Sequence, residues 1–240
     1  MKSTVLSITI LVVCTLTIFN SSGQSNLSVS VPVIWSEVKV KDNWTPPTAP
    51  NYKEYHSGSA VGYGINLYYS FQPKLLTKDK HFFMNIGAGY FKQRFNVTRP
   101  FDYNSPVQPI FRTDHYSYHC WQGLIGLSYN YQLKKDYFLM GTLTYNALYS
   151  FRQDYVPTFT AETQVNHEKI NFGKIVSLNV GLNKYLGERF WLGLHVVAPL
   201  YTRWRNDKIF RDDPTTYYHP KFGLGTYLSV SYRISKNSQP

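Results

Sequence analysis

The chain has 240 residues, of which 43% are hydrophobic and 17% aromatic, and it carries a formal charge of +11. That length allows one barrel or one to two ordinary domains. Its basicity alone would admit nucleic acid, but no basic helix, zinc-ligand spacing or RNA-binding aromatic motif occurs; nucleic acid is excluded as a partner and the anionic headgroups of an envelope membrane are preferred.

Met1-Lys2, an apolar run over 5–19 and the small residues Ser21-Ser22-Gly23 read as a secretory signal, with cleavage expected after Gly23. The run is short for a helical span of ~20 residues. Residues 1–23 are therefore expected to be a signal peptide and 24–240 the mature domain. Cys14 lies within the run, behind the bulky Val13, which argues against lipidation. Cys120 is then the one mature thiol; no internal disulfide is expected, and the residue should pack in the wall of the fold.

The first strand is predicted over 27–40, with Leu27, Val29, Val31, Val33 and Trp35 on one face. Pro32 cannot donate to a ladder, so a bulge or gap is expected there. A long polar loop over 41–56 leads to a second strand, 59–71. Here Val61, Tyr63, Ile65, Leu67, Tyr69 and Phe71 oppose Gly62, Gly64, Asn66, Tyr68 and Ser70. A shorter link, 72–80, precedes a third strand, in which Phe82, Met84, Ile86, Ala88 and Tyr90 oppose Phe83, Asn85, Gly87, Gly89 and Phe91. A second long loop is predicted over 98–114 and a fourth strand over 116–133. The tight turn Lys134-Lys135-Asp136 follows, then a fifth strand over 137–151. A third long loop covers 152–169. The sixth strand descends to Leu182, a short turn falls near 185–188, and the seventh strand sets Phe190, Leu192, Leu194, Val196, Ala198 and Leu200 together. A fourth long loop, 203–219, precedes the last strand, with Phe222, Leu224, Leu228, Val230, Tyr232 and Ile234 on one face.

Eight strands joined by four long and three short connections in strict alternation predict an antiparallel eight-stranded transmembrane β-barrel. The short turns and both mature termini are then periplasmic, and the long loops are outside. Mean hydropathy is only −0.32 because lipid-facing and lumen-facing residues alternate and cancel. The rival is a soluble eight-stranded barrel such as a lipocalin, apolar within and charged without. The polar faces here are Gly, Ser, Asn, Thr and Tyr rather than Lys and Glu, which suits a crowded lumen better than open water.

Three Gly-x-Gly strands (Gly62-Tyr63-Gly64, Gly87-Ala88-Gly89 and Gly223-Leu224-Gly225), a signal ending Gly23-Gln24 and the closing run from Gly225 to Ile234 carry a resemblance. The chain resembles the small outer-membrane barrels of the OmpA/OmpX type, particularly the outer membrane β-barrel proteins of Bacteroidota-like bacteria. That resemblance implies a bacterial outer-membrane location and insertion by the barrel assembly machinery. Two departures stand beside it. Residues 235–240 continue past the last strand, and no peptidoglycan-binding domain follows.

Few residues suggest chemistry. His195 is expected in the lumen on the seventh strand, without a nucleophile or carboxylate beside it, and is read as a hydrogen-bonded lumen histidine. His115 and His119, beside Asp114, fall on one strand face near the outer rim, where solvated residues are the ordinary reading and a metal site lacks further ligands. No catalytic residue, cofactor or metal is expected. Arg203, Arg205, Lys208 and Arg211, interleaved with Trp204, could bind lipopolysaccharide phosphates, or pair internally with Asp207, Asp212 and Asp213. Lys74, Lys78, Lys80, Lys134 and Lys135 fall on the short-turn side and should meet inner-leaflet headgroups. The sequons at Asn43 and Asn96 matter only in a eukaryotic secretory context.

An eight-stranded barrel can fill its interior with its own side chains. Phe83, Phe91, Tyr68, Trp191 and Tyr227 are expected to do so. The functional expectation is a non-enzymatic outer-membrane barrel with a structural or binding role, exerted through its loops or its wall. Its partners would be outer-membrane lipid, lipopolysaccharide or other outer-membrane proteins, in which case it serves as an accessory subunit of a larger complex. The alternatives are a narrow channel and a lipid A-modifying enzyme.

Overall fold

Each strand of this chain has two unlike faces, and a closed sheet satisfies both at once. In a computed structural model, the described residues are 24–42, 58–73, 81–102, 110–156, 164–166, 171–204 and 216–234. They form β1 (Ser25–Asp42), β2 (Gly58–Phe71), β3 (Phe82–Asp102), β4 (Ile110–Lys134), β5 (Tyr137–Val156), β6 (Gln164–Asn166), β7 (Asn171–Tyr185), β8 (Phe190–Trp204) and β9 (Thr216–Arg233). Every pairing between them is antiparallel. Neighbours in sequence pair in turn, β5 pairs β7, and β9 returns to β1. The three-residue β6 only flanks the outer tip of β5. The remaining eight strands close into a barrel without a free edge. Closure removes the unpaired N–H and C=O groups that hydrocarbon cannot solvate.

The exterior is apolar on every strand of the ring. Val31, Ile65, Leu67, Leu127, Leu143, Val180, Leu194, Val196 and Leu228 are all exposed. This inverts a soluble fold and makes the wall a surface for acyl chains. Aromatic rows border the band. Toward the long loops, the ladder-paired series Tyr90–Trp121–Tyr149–Phe172 crosses four strands. Toward the short turns stand Tyr69, Phe82, Tyr129, Tyr131, Tyr137, Phe190 and Tyr232. There Lys184 lies over the Tyr137 ring and Arg189 donates to the Tyr232 hydroxyl. Amphipathic rings and snorkelling cations suit the two interfaces of a bilayer.

The ladder between β1 and β2 lacks its Val31 and Pro32 pairs but resumes in the same register at Val33. Proline thus costs a gap and no shift. The turns at the termini's end are tight: Lys135 and Asp136 join β4 to β5, and 186–189 join β7 to β8. Gly187 in the second has φ of 127°, a conformation that side chains resist.

Five expectations need correction; one is Phe222, which lies beyond a bulge in β9 and is 7% exposed rather than on the lipid face. The connection placed over 98–114 is mostly strand, since β3 runs to Asp102 and β4 begins at Ile110. Likewise β5 continues to Val156, β6 occupies part of the next connection, and β9 begins at Thr216. Polar, proline-bearing sequence above the membrane is paired as a hairpin wherever its partner strand persists. The β3–β4 pair rises about 37 Å beyond Trp121 along β4. Finally, Phe71 is not on the lipid face: it is 2% exposed and stacks on Tyr69 at 5.7 Å.

Candidate functional site

The lumen is the first place to look for chemistry, and it is a packed polar interior. Inward positions carry short hydroxyl and amide side chains that reach one another across neighbouring strands. Ser70 donates to Asn85 Oδ1 (2.6 Å), Asn85 Nδ2 to Ser128, and Ser128 and Thr142 share a bond of 3.0 Å. Farther round, Thr144 bonds Ser177 (2.7 Å), and Ser28 donates to Ser231 (2.7 Å). Higher up, Gln122 Nε2 donates to Asn66 Oδ1 and Asn66 Nδ2 to the Tyr68 hydroxyl (3.1 Å). Most of these bonds staple adjacent strands from within, where a lone polar group would be costly; Gln122 reaches over Gly89 of β3 to β2, and the Asn66–Tyr68 bond lies within β2.

The lumen holds small cavities, two of them of about 60 and 40 Å³, with Tyr68, Tyr227, Thr144 and Asn179 lining both. Each has room for a few waters and no more. Trp191 and Phe83 reach the cavity nearer the short turns, and Phe91 lines the other. His195 is wholly buried. Its ring stacks on Tyr227 at 4.3 Å and 8°, and its Nε2 lies 3.3 Å from both Asn183 Oδ1 and Ser229 Oγ. The imidazole fits because Gly181 lies across the ladder from it: a Cβ there would sit 2.1 Å from Nδ1. No carboxylate is among these partners, so the acid that would orient a catalytic histidine is missing from its contacts.

The mouth at the long-connection end is filled by rings. Phe95 stacks on Tyr116 (5.6 Å) and packs on Tyr118 (5.4 Å), Tyr118 stacks on Trp204 (5.5 Å), and Phe91 meets Phe222 (5.7 Å). Cys120, Leu148 and Ile175 complete this buried cluster. Three bulges reset the strands around it. An extra residue enters β5 at Phe151, β8 at Leu200 and β9 between Phe222 and Gly225. Each reverses the in–out alternation beyond it. Trp204 and Phe222 therefore turn inward, and Arg152, Asp154 and Arg203 turn outward.

Arg203 is exposed on the wall and pairs with Lys174 across the β7–β8 ladder. Trp204 is 3% exposed inside the plug, so it does not share a surface with Arg203. Arg205, Lys208 and Arg211 lie outside the described residues, as do Asp207, Asp212 and Asp213. Lys74, Lys78 and Lys80 also fall there, whereas Lys134 and Lys135 are exposed at the short-turn end.

The two rim histidines serve different partners. His115 Nδ1 lies 2.8 Å from Asn96 Oδ1. His119 takes part in an outward-facing chain above the aromatic row. In the neutral tautomer that serves both partners, the Tyr90 hydroxyl donates to Nδ1 (2.5 Å) and Nε2–H donates to Asp154 Oδ2 (2.8 Å). Arg152 Nε donates to the other carboxylate oxygen at 2.7 Å. Burial pushes the Asp154 carboxyl up, but the bonds from Arg152 and His119 and the charge of the Arg152 guanidinium outweigh it and hold it below the ordinary range. The same contact raises the Arg152 guanidinium. Among the described residues no group of three metal-capable side chains forms.

No protein-family model matches the chain, and no curated protein matches it in sequence. Solved structures similar in shape are barrels. The outer membrane protein OprG from Pseudomonas aeruginosa is 8% identical, with a TM-score of 0.49 over 90% of this chain and 98% of that one. Ail, the attachment invasion locus protein of Yersinia pestis, is 11% identical at 0.31, over 86% and 98%. The outer membrane protease OmpT from Escherichia coli is 11% identical at 0.38, over 88% and 95%. At such identities the likeness assigns no role to this chain.

Sequence reading missed the Tyr90–His119–Asp154–Arg152 chain and half of the outer plug. The signal for Phe95, Tyr116 and Tyr118 was present, since alternation continues unbroken through 91–95 and 116–120. Nothing local marks the bulges that bring Asp154 to His119.

Proposed function

We propose that this is a non-enzymatic barrel of the bacterial outer membrane, which works through its outer rim and lipid-facing wall. Its partners on this reading are lipopolysaccharide and other outer-membrane proteins, with service as an accessory subunit of a larger complex. One observation carries the reading. The interior is filled by polar side chains, many bonded to one another, and by a ring cluster, while the exterior carries aromatic rows, with Lys92, Arg94 and Arg152 beyond the row at the long-connection end and Lys174 and Arg203 one pleat inside it. Cations flanking the aromatic row at the long-connection end match the phosphates of outer-leaflet glycolipid. A single-chain barrel with an even number of strands, short turns at one end and longer connections at the other fits the outer-membrane class. The termini then lie in the periplasm with the short turns, after removal of residues 1–23 and insertion by the barrel assembly machinery.

Reconstitution in planar bilayers separates this reading from the channel alternative. The expected result is a silent membrane with no discrete conductance steps. Steady unitary currents would show an open path and overturn the sealed-lumen reading. Gentle extraction from native membranes tests the accessory role: stoichiometric co-purification of a second outer-membrane protein supports it, and a lone monomer counts against it.

A further inference from the structure

An apolar groove crosses the lipid-facing wall where β3, β4, β5 and β7 adjoin. Met84, Ile125, Leu127, Leu143, Tyr145 and Val176 line it. Its edge toward the outside is open. The next outward residues on β4 and β5 are Gly123 and Ala147, which are paired and exposed. A Cβ on Gly123 would meet no atom within 4 Å. Trp121 and Tyr149 stand above them. Ala147 is paired in turn with Lys174, and Lys174 with Arg203. Lys174 also follows Val176 on the same strand face, about 7 Å farther out. Both cations are exposed, and among the described residues neither makes an ion pair with a carboxylate. Like charges directly opposite on a sheet repel. An anion held between them would turn that repulsion into attraction on both sides.

We propose that the groove and the Lys174–Arg203 pair form one seat for a phosphorylated outer-leaflet glycolipid. The inference rests on the lipopolysaccharide reading above and gives it a place. The phosphate sits between the ammonium and the guanidinium, whose planar fork accepts phosphate oxygens in pairs. An acyl chain then passes over Ala147 and Gly123 and lies among Ile125, Tyr145, Leu127 and Leu143. The directions agree: the cations mark the outer end of the groove, and acyl chains run inward from an outer-leaflet headgroup. Charge fixes the occupant's head, and the bare strip at Gly123 and Ala147, in the same ladder row as Lys174 and Arg203, gives its tail a route into the groove beneath the aromatic row.

The test refolds the full chain into vesicles of phosphatidylethanolamine with a lipid A-type glycolipid, and into matched vesicles with phosphatidylglycerol instead. Native mass spectrometry after mild detergent extraction counts retained lipid, and heat-modifiable migration checks that each variant has folded. Lys174→Gln/Arg203→Gln removes the charge; Gly123→Leu/Ala147→Leu fills the route and leaves the charge. Lys134→Gln/Lys135→Gln at the other end is the control. The expected result is one glycolipid retained by the parent and the control, reduced at least fivefold in both other variants, with phosphatidylglycerol retained poorly. Undiminished retention by either variant places the lipid elsewhere and overturns the seat while the broader lipid reading stands. Equal retention of phosphatidylglycerol overturns the choice of glycolipid. A dimer dispersed by Gly123→Leu/Ala147→Leu gives the groove to a second copy and overturns the seat. A parent that retains no glycolipid overturns both the seat and the lipid reading beneath it.

Discussion

His195 shows how one residue's chemistry depends on a neighbour's missing side chain. Its ring occupies the space that a Cβ on Gly181 would fill, and it stacks on Tyr227. Gly181→Val is expected to lose about 2–3 kcal/mol, the usual scale for overpacking a filled interior. His195→Ala on its own opens a cavity. The double variant should recover part of the loss, and unfolding by urea from vesicles measures the coupling; strictly additive losses would mean that the two do not share space. At the rim, Asp154 has a lowered folded-state value, so its bonds to Arg152 and His119 contribute fully above the ordinary aspartate range and fade as pH falls through it. Stability should therefore drop on acidification below about pH 4 by on the order of 1 kcal/mol more in the parent than in Asp154→Asn. Parallel pH profiles for the two would remove Asp154 from the stability of the rim. The presence of His119 near the rim was legible in the sequence. Its partner was not, because Asp154 lies 35 residues away and reaches it only through a bulge.

Period-2 reading finds a strand but cannot see where the period breaks. Alternation placed β1, β2 and the inner halves of β7, β8 and β9 on their proper faces. It failed for Phe71 at the end of β2 and for Phe222, which lies beyond a single inserted residue. Leu200 tests this at the scale of the element. Its side chain is 62% exposed, so Leu200→Ala is expected to cost about 1 kcal/mol or less. Deleting the residue would turn Trp204 out of the ring cluster and cost several times more, since the stack on Tyr118 and the packing of a large aromatic are lost together. Equal effects of truncation and deletion, measured by urea unfolding, would mean that the bulge does not set the plug. The extended β3–β4 pair was illegible for another reason. Polar sequence with prolines reads as loop unless its partner is known, and the partner here is set by a register begun within the membrane.

At the scale of the molecule, the design is an exchange of faces. Apolar side chains that would form the core of a soluble protein cover the outside, and hydroxyls and amides that would meet water are bonded to one another within. This was the most legible level, since closure follows from eight amphipathic strands and alternating connections. The filled lumen was partly legible, from the large residues on the inward faces. The charged outer wall was not, because its cations come from four strands and meet only after closure: Lys92 and Arg94 on β3, Arg152 on β5, Lys174 on β7 and Arg203 on β8 count five residues that sequence separates widely.

The central claim is that the greasy exterior faces acyl chains. Unfolded chain diluted from urea into lipid vesicles, and in parallel into buffer alone, tests it most directly, with β-content from circular dichroism and compactness from unheated electrophoresis. Folding is expected in the vesicles, with aggregation or continued disorder in buffer. A monodisperse, β-rich, folded protein in buffer without amphiphile would contradict the claim.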